Sequence, residues 1–125
     1  MAFIDTNILL RWLLGDHKEL SQKAEKIVTS ANTGSLIVTD IVVAEIVYVL
    51  RSTGRDRKQT VEALLLIGRT GAFKYENGEL IMDIVKLISE TSLDFADCYL
   101  LSRANREDVE LATFDEKLLK LSNRK

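Results

Sequence analysis

Four acidic side chains stand inside or directly beside the most apolar stretches of this 125-residue chain. They are Asp5 after Ala-Phe-Ile, Glu45 within Val-Val-Ala-Glu-Ile-Val-Tyr-Val-Leu, Asp97 within Phe-Ala-Asp-Cys-Tyr-Leu-Leu, and Asp115 after Leu-Ala-Thr-Phe. Moving a carboxylate out of water is costly, and Asp and Glu are almost never fully buried unless they are paired. Four such positions therefore predict a shared counter-charge. A divalent cation is the simplest one.

The composition predicts one globular domain over residues 1–125. Hydrophobic residues make up 46% of the chain and charged residues 29%, which is ordinary for a globular protein. A chain of this length can bury about two-thirds of its unfolded surface. The 17 basic and 19 acidic residues give a net charge of -2, so the chain lacks the strongly basic surface of a non-specific nucleic-acid binder. A polyanion would have to be held locally, with the help of a metal ion.

Several features predict a cytoplasmic protein that is not inserted in a membrane. No apolar run approaches the roughly 20 residues that a membrane span needs. The N-terminus lacks the basic segment followed by an apolar segment that marks a secreted protein. Cys98 is the single cysteine and cannot form an internal disulfide, which is typical of a protein in a reducing compartment.

The spacing of apolar residues predicts short strands that alternate with longer helices. Strands are expected at residues 2–4, 36–38, 71–75 and 110–113. Helices are expected to begin at residues 5–7, 18, 39 or 40, 56, 79, 92 or 94, and 115, and to end at residues 14, 32, 50, 69, 90, 105 and 121, respectively. Gly34 is expected to close the second helix. The helix that ends at Leu50 is so apolar that we expect it at the centre of the fold.

This alternation favours a mainly parallel sheet that is covered on both faces by helices. In such sheets, ligands gather beyond the carboxyl ends of the strands. Asp5 and Asp115 both follow strand-like runs directly, so they are expected at this edge. Glu45 lies one turn into an apolar helix and Asp97 in the first turn of another, and we expect both to point into the same crevice.

Each acid also has a purely structural interpretation. Asp5 and Asp115 are suited to cap helices, and Asp97 would interact favourably with a helix dipole. Glu45 is harder to explain in this way, because the residues three and four positions away from it are apolar. The occurrence of all four acids in one short chain favours a common metal site.

The residue types that are scarce or absent exclude several reaction mechanisms. His17 is the single histidine and lies in a polar segment, which excludes a ribonuclease mechanism with two histidines and a His-rich zinc site. Cys98 has no adjacent histidine base and is expected to be a small buried hydrophobe. No glycine-rich phosphate loop is present. Oxygen ligands select Mg²⁺ or Mn²⁺, and one or two such ions suit phosphodiester hydrolysis.

Four sequence blocks follow one another along the chain. They are Ile-Asp-Thr-Asn at 4–7, Val-Ala-Glu-Ile-Val-Tyr-Val-Leu around Glu45, Asp-Phe-Ala-Asp at 94–97, and Thr-Phe-Asp-Glu-Lys-Leu at 113–118. In this order and spacing, the blocks resemble the signature of PIN domains, and specifically of the VapC-type toxins of prokaryotic toxin-antitoxin pairs. The resemblance implies a metal-dependent endoribonuclease with a three-layer α/β/α sandwich fold and a mainly parallel central sheet. Such proteins are usually homodimers that a small antitoxin protein inhibits.

The resemblance also implies roles for the four acids. Asp5, Glu45 and Asp97 match the three most characteristic acids of the family, and Asp115 matches a fourth, more variable one. We expect Asp5 and Asp97 to be the principal ligands of Mg²⁺ or Mn²⁺. Glu45 is expected to bind the metal directly or through water. Asp115 is expected to complete the site or to hold a second ion.

Supporting residues follow from the same resemblance. Thr6 and Asn7 match the polar pair after the first acid, where Asn7 would help to hold the acids in place, and Thr113 matches the hydroxyl residue before the fourth acid. Cys98 stands where Ala or Ser is common, which leaves the acid pattern unchanged. Basic side chains that could contact RNA phosphates are Arg11, Arg51 and Arg55, the last two in a cluster with Arg57 and Lys58 around a predicted turn.

Two other interpretations remain open. Asp-Thr-Asn after a first strand is similar to the Asp-x-Asp start of phosphatases with an aspartyl nucleophile, although Asn7 stands where the second acid belongs. A phospho-accepting receiver module, which is not catalytic, also combines acids, a Thr and a Lys at strand ends. Its acceptor belongs on a middle strand, and the second strand here is followed by Thr39 and Asp40. The receiver interpretation leaves Glu45 without a role.

Overall fold

A computed structural model describes residues 1–123 as an alternation of short strands and helices. The strands are β1 (Ala2–Phe3), β2 (Leu36–Val38) and β3 (Phe73–Tyr75). The helices are α1 (Thr6–Leu14), α2 (Lys18–Ser30), α3 (Asp40–Ser52), α4 (Arg57–Arg69), α5 (Gly78–Glu90), α6 (Phe95–Glu107) and α7 (Glu116–Leu121). The strands form one parallel sheet in the order β1-β2-β3. The predicted α/β class with a parallel sheet is confirmed.

The described chain divides into two compact units, Met1–Gly78 and a second unit that begins at Glu79. The first unit contains the whole sheet, in which Leu36 of β2 is opposite both Ala2 and Phe73. Helices α1 to α4 complete this unit. The ring of Trp12 on α1 meets the ring of Phe73 edge to face, with centroids 4.9 Å apart. Such pairs contribute about 0.5–1.5 kcal/mol beyond the area that they bury.

Local capping signals set most helix boundaries in the first unit. Asp5 caps α1, which ends at Gly15 in the left-handed conformation that glycine adopts without strain. Thr39 caps α3 through its hydroxyl. Asp56 caps α4 and forms a reciprocal capping box with Gln59, which satisfies two backbone N–H groups. These boundaries agree with the predicted ones to within one or two residues.

The second unit is built from helices α5 to α7. The buried face of α5 consists of Leu80, Ile81, Ile84, Val85 and Ile88, as its helical spacing predicts. Arg106 of α6 forms ion pairs with Asp83 and, at 3.0 Å, with Glu79. Helix α7 follows its cap, Asp115, and buries Leu118.

Three predicted helix ends and one predicted strand start differ by two residues from the observed ones, and one predicted strand is wrong. Helix α6 ends at Glu107 rather than Asn105, and β3 begins at Phe73 rather than Gly71. Helix α2 ends at Ser30, with Ala31 rather than Gly34 at its C-terminal cap, and α3 continues to Ser52 instead of stopping at Leu50. Residues 110–113 form no strand in the described part of the chain. Leu111 and Ala112 are the only apolar residues of this segment, and Ala112 is exposed. A short apolar run does not specify a strand unless it has a partner.

Helix α3 is central on one face only. Its buried face consists of Val43, Ile46, Val47 and Leu50. Ile41 and Tyr48, on the opposite face, are each 74% exposed. The expectation that this helix lies at the centre of the fold therefore holds only for its buried face. Within residues 1–123, no helix combines the length and the apolar character that crossing a membrane requires.

Candidate active site

The first pair of predicted site acids, Asp5 and Glu45, lies in the first unit. Asp5 follows β1 and caps α1, and its Oδ2 accepts a 3.1 Å hydrogen bond from the backbone N–H of Asn7. Glu45 lies on α3, which follows the neighbouring parallel strand β2. The hydroxyl of Thr6 donates a 2.9 Å hydrogen bond to Glu45 Oε1. The start of α1 is thereby joined to the middle of α3.

These residues line one open cleft of about 400 Å³. Its polar lining is Asp5, Thr6, Asn7 and Glu45, and the rest of its lining is Leu10, Ala44, Tyr48 and Val49. The volume is within the range of small-molecule sites. The prediction that Thr6 and Asn7 accompany the first acid is consistent with this lining, although the hydrogen bond to Asp5 comes from the backbone of Asn7.

The expectation that the acids avoid water is wrong for this pair. Asp5 and Glu45 are both exposed. The helical period places Glu45 on the same face as Ile41 and Tyr48, which are also exposed, while Ile46 and Val47 face the core. Glu45 has apolar neighbours in sequence because both faces of α3 are apolar, and not because its carboxylate is buried.

The second pair, Asp97 and Asp115, lies in the second unit. The backbone N–H of Asp97 donates a 2.9 Å hydrogen bond to Oδ1 of Asp94, which caps α6. Asp115 caps α7 by accepting hydrogen bonds from the N–H groups of Lys117 and Leu118, and its own N–H donates to Thr113 Oγ1 over 3.0 Å. Thr113 thus holds the turn that carries Asp115.

Asp97 is in an unfavourable electrostatic environment. Partial burial raises the pKa of its carboxyl above the ordinary value, and the negative charges of Asp94 and Asp115 and a hydrogen bond with Asp94 raise it further. Like charges disfavour the ionised form, so the second unit holds a group of carboxylates that repel one another. Asp94 was not among the predicted site residues. Its position three residues before Asp97, one helical turn away, is the sequence feature that could have indicated that Asp94 lies near the site.

Within residues 1–123, no Lys, Arg or His side chain forms an ion pair with any of the four acids. The ion pairs there use other carboxylates, those of Asp16, Glu19, Glu79, Asp83 and Glu107. The possible metal ligands at the two pairs are carboxylate and hydroxyl oxygens, which suit a hard cation such as Mg²⁺ or Mn²⁺. Residues 1–123 contain no group of three or more His, Cys, Asp or Glu side chains that could hold a metal ion by itself. That all four acids share one crevice stays a prediction.

A comparison with known protein families identifies the family of the chain. The family model described as the PIN domain matches residues 2–123. The chain belongs to the PIN domain family. PIN domains are generally nucleases and generally use divalent metal ions, so membership indicates a nuclease-type function. No curated protein and no solved structure matches the chain.

The three arginines predicted to contact RNA have local partners in this PIN domain. Arg11 forms a 3.0 Å ion pair with Asp16. Arg51 donates to the backbone carbonyl of Arg55, and Arg55 donates to Thr53 Oγ1 over 2.7 Å. None of these arginines lines the cleft of Asp5 and Glu45. Their contact with RNA stays a prediction.

Two residues that were excluded from catalysis have structural roles in this PIN domain. Cys98 is fully buried, which confirms the prediction of a small buried hydrophobe. His17 is exposed, as predicted, and its Nδ1 accepts a 3.1 Å hydrogen bond from the backbone N–H of Leu20 at the start of α2. The sequence reasoning missed Tyr48 as a lining residue of the acidic cleft. Its position three residues after Glu45 places both on one helix face and could have revealed it.

Proposed function

We propose that this PIN domain is an endoribonuclease that depends on Mg²⁺ or Mn²⁺ and acts as the toxin of a toxin-antitoxin pair. Its substrate would be RNA, and its protein partners would be a small antitoxin and a second copy of the chain in a cytoplasmic homodimer. The observation that carries the proposal is that none of the four acids forms an ion pair with a basic side chain within residues 1–123. Family membership supports the nuclease chemistry.

The metal ligands in this proposal are Asp5 and Asp97, with Glu45 bound directly or through water and Asp115 completing the site or holding a second ion. A bound divalent ion would activate a water molecule for attack on phosphorus and would neutralise the leaving oxygen. This proposal therefore requires no general base from the chain. A cation would also offset the repulsion that raises the pKa of Asp97.

The neighbouring polar groups act by positioning the acids. The Thr6 hydroxyl restrains one oxygen of Glu45 and leaves the other available to a ligand. The N–H of Asn7 restrains one oxygen of Asp5 in the same way. Thr113 accepts from the N–H of Asp115 and orients the turn before α7. Groups that fix the orientation of a ligand typically contribute about 10- to 100-fold to metal affinity or activity.

The test is cleavage of total cellular RNA by the purified chain with Mg²⁺, with Mn²⁺ and with EDTA. We expect cleavage only with a divalent ion, and loss of cleavage in Asp5→Asn. Asn remains a favourable helix cap, so this variant should keep its fold. Glu25→Gln, an exposed charge in the middle of α2, is the matched control and should cleave like the wild type. Unchanged cleavage by Asp5→Asn would mean that a contaminant cuts the RNA.

The phosphatase and receiver alternatives predict a different product. Either protein would take up phosphate covalently on an aspartate from a small phosphodonor. A nuclease of the proposed kind would release RNA fragments and carry no phosphate. Mass spectrometry of the intact chain after incubation with acetyl phosphate, in parallel with the RNA assay, separates the three functions.

A further inference from the structure

Tyr48 is an exposed aromatic ring on the wall of the acidic cleft. It lies one helical turn after Glu45 on α3 and shares the lining of the cleft with Asp5, Thr6 and Asn7. Its side chain is 74% exposed. Its hydroxyl takes part in none of the hydrogen bonds among residues 1–123. Neither packing in the core nor an internal hydrogen bond explains why a tyrosine stands at this position.

The cleft has two chemically different parts. One part consists of the oxygen groups of Asp5, Glu45 and Thr6, which suit a cation and, through it, a phosphate. The other part is the Tyr48 ring with the apolar side chains of Leu10, Ala44 and Val49. A nucleotide has matching parts, because its charged phosphate is joined to a flat base with two π faces. The cleft volume of about 400 Å³ leaves room for a group of this size.

We infer that Tyr48 stacks against a nucleobase next to the bond that is cleaved, which requires that base to be unpaired. This inference rests on the proposed ribonuclease function and assigns Tyr48 a role in binding its substrate. Stacking on an aromatic ring requires a base that has left its helix, whereas the bases of duplex RNA already stack on one another. Stacking also tolerates any base, since every base has a π face. Tyr48 therefore distinguishes single-stranded from double-stranded RNA, but it does not select a sequence.

The same helix face offers a matched control. Ile41 is also 74% exposed and lies one turn before Glu45, but it does not line the cleft. If the exposed side chains of α3 served to bind another protein, Ile41 and Tyr48 would both contribute. If Tyr48 stacks on RNA, only its own replacement affects the substrate.

The kinetic test compares Tyr48→Ala, Tyr48→Phe and Ile41→Ala on a mixed-sequence single-stranded RNA and on the same RNA annealed to its complement. Tyr48→Ala should raise KM for the single strand by about 10-fold or more, in the range known for loss of one stacked base, with little change in kcat. Tyr48→Phe keeps the ring and should resemble the wild type, as should Ile41→Ala. The wild type should prefer the single strand over the duplex, and Tyr48→Ala should reduce this preference.

A binding test keeps the inference independent of catalysis. The single-stranded RNA carries the fluorescent base 2-aminopurine at successive positions and is titrated in Mg²⁺ with Asp5→Asn, which is expected not to cleave, alone and combined with Tyr48→Ala. Stacking quenches this fluorophore, so Asp5→Asn should quench it, and at more than one position because stacking tolerates any base. Adding Tyr48→Ala should remove the quenching.

Three results would overturn the inference. The first is an unchanged KM and unchanged quenching in Tyr48→Ala. The second is an equal loss in Tyr48→Phe, which would assign the role to the hydroxyl instead of the ring. The third is an equal loss in Ile41→Ala with a lower mass by light scattering, which would make this face a contact between two chains. If the wild type does not cleave RNA but quenching depends on Tyr48, the ribonuclease proposal fails, and of the inference only the stacking of Tyr48 on an RNA base stands.

Discussion

The Thr6 hydroxyl donates a 2.9 Å hydrogen bond to Glu45 Oε1 and thereby joins two residues that are 39 positions apart in the chain. Thr6 begins α1, directly after Asp5, and Glu45 lies inside α3. The helices follow neighbouring parallel strands of the sheet. The bond therefore holds the two acids of the first unit on one cleft.

The first prediction concerns this bond. Thr6→Val keeps the branched shape and removes the hydroxyl, so Glu45 loses its restraint. We expect RNA cleavage to fall by about 10- to 100-fold, the usual effect of removing a group that orients a metal ligand. Because the bond is exposed, the free energy of unfolding in urea should fall by no more than about 1 kcal/mol. Thr6→Ser keeps the donor and should remain active. Wild-type activity in Thr6→Val would show that the bond has no functional role.

The second prediction concerns the charge of Asp97. A carboxyl whose pKa is raised in the folded state binds its proton more tightly there than in the unfolded chain. Ionisation of Asp97 therefore lowers the free energy of unfolding. The loss develops as the pH rises from the pKa of this carboxyl in the unfolded chain through its raised pKa in the folded state. Asp97→Asn should be more stable than the wild type at pH 7 without metal, by about 1 kcal/mol or less because the group is partly exposed.

Thermal unfolding between pH 3 and pH 7 in EDTA measures this effect. The difference in Tm between Asp97→Asn and the wild type should be smallest at pH 3 and largest at pH 7. Glu25→Gln removes one exposed negative charge elsewhere and controls for net charge. A difference between Asp97→Asn and the wild type that shrinks as the pH rises would contradict the assigned environment of Asp97.

The third prediction concerns metal binding by the acids of both units. A ligand that binds only the folded state raises its stability, by about 1.4 kcal/mol at ten times Kd. Titrating Mn²⁺ or Mg²⁺ should raise the Tm of the wild type, and Asp5→Asn and Asp97→Asn should each weaken this rise. If the acids bind the same ion, the double variant should lose little more than either single variant. Fully additive losses would mean that the two pairs bind separately.

The fourth prediction compares the two faces of α3. Ile46 is fully buried and Ile41 is exposed, although both are isoleucines on the same helix. Ile46→Ala should lower the free energy of unfolding by about 2–5 kcal/mol, because it removes buried methyl groups and leaves a cavity. Ile41→Ala should change it by less than about 0.5 kcal/mol. Equal losses in urea unfolding would contradict the assigned orientation of the helix.

The sequence by itself determined the features that depend on a few neighbouring residues. Asp56 and Gln59 form a capping box three residues apart, and Gly15 ends α1 because glycine adopts a positive φ without strain. The strand at Leu36–Val38 was predicted with its observed bounds. The α/β class follows from the alternation of such local signals, and the order of the acidic blocks was sufficient to indicate the family.

Only the tertiary structure decided which side of an apolar element is buried and which distant groups meet. The residues around Glu45 are apolar on every side in sequence, and only the packing of α3 in the first unit leaves Glu45 and Tyr48 in solvent. The sequence predicted a strand at residues 110–113, but a strand exists only through hydrogen bonds to a partner. The raised pKa of Asp97 depends on Asp115, 18 positions away. Burial, pairing and charge repulsion act through space, so a linear pattern cannot specify them.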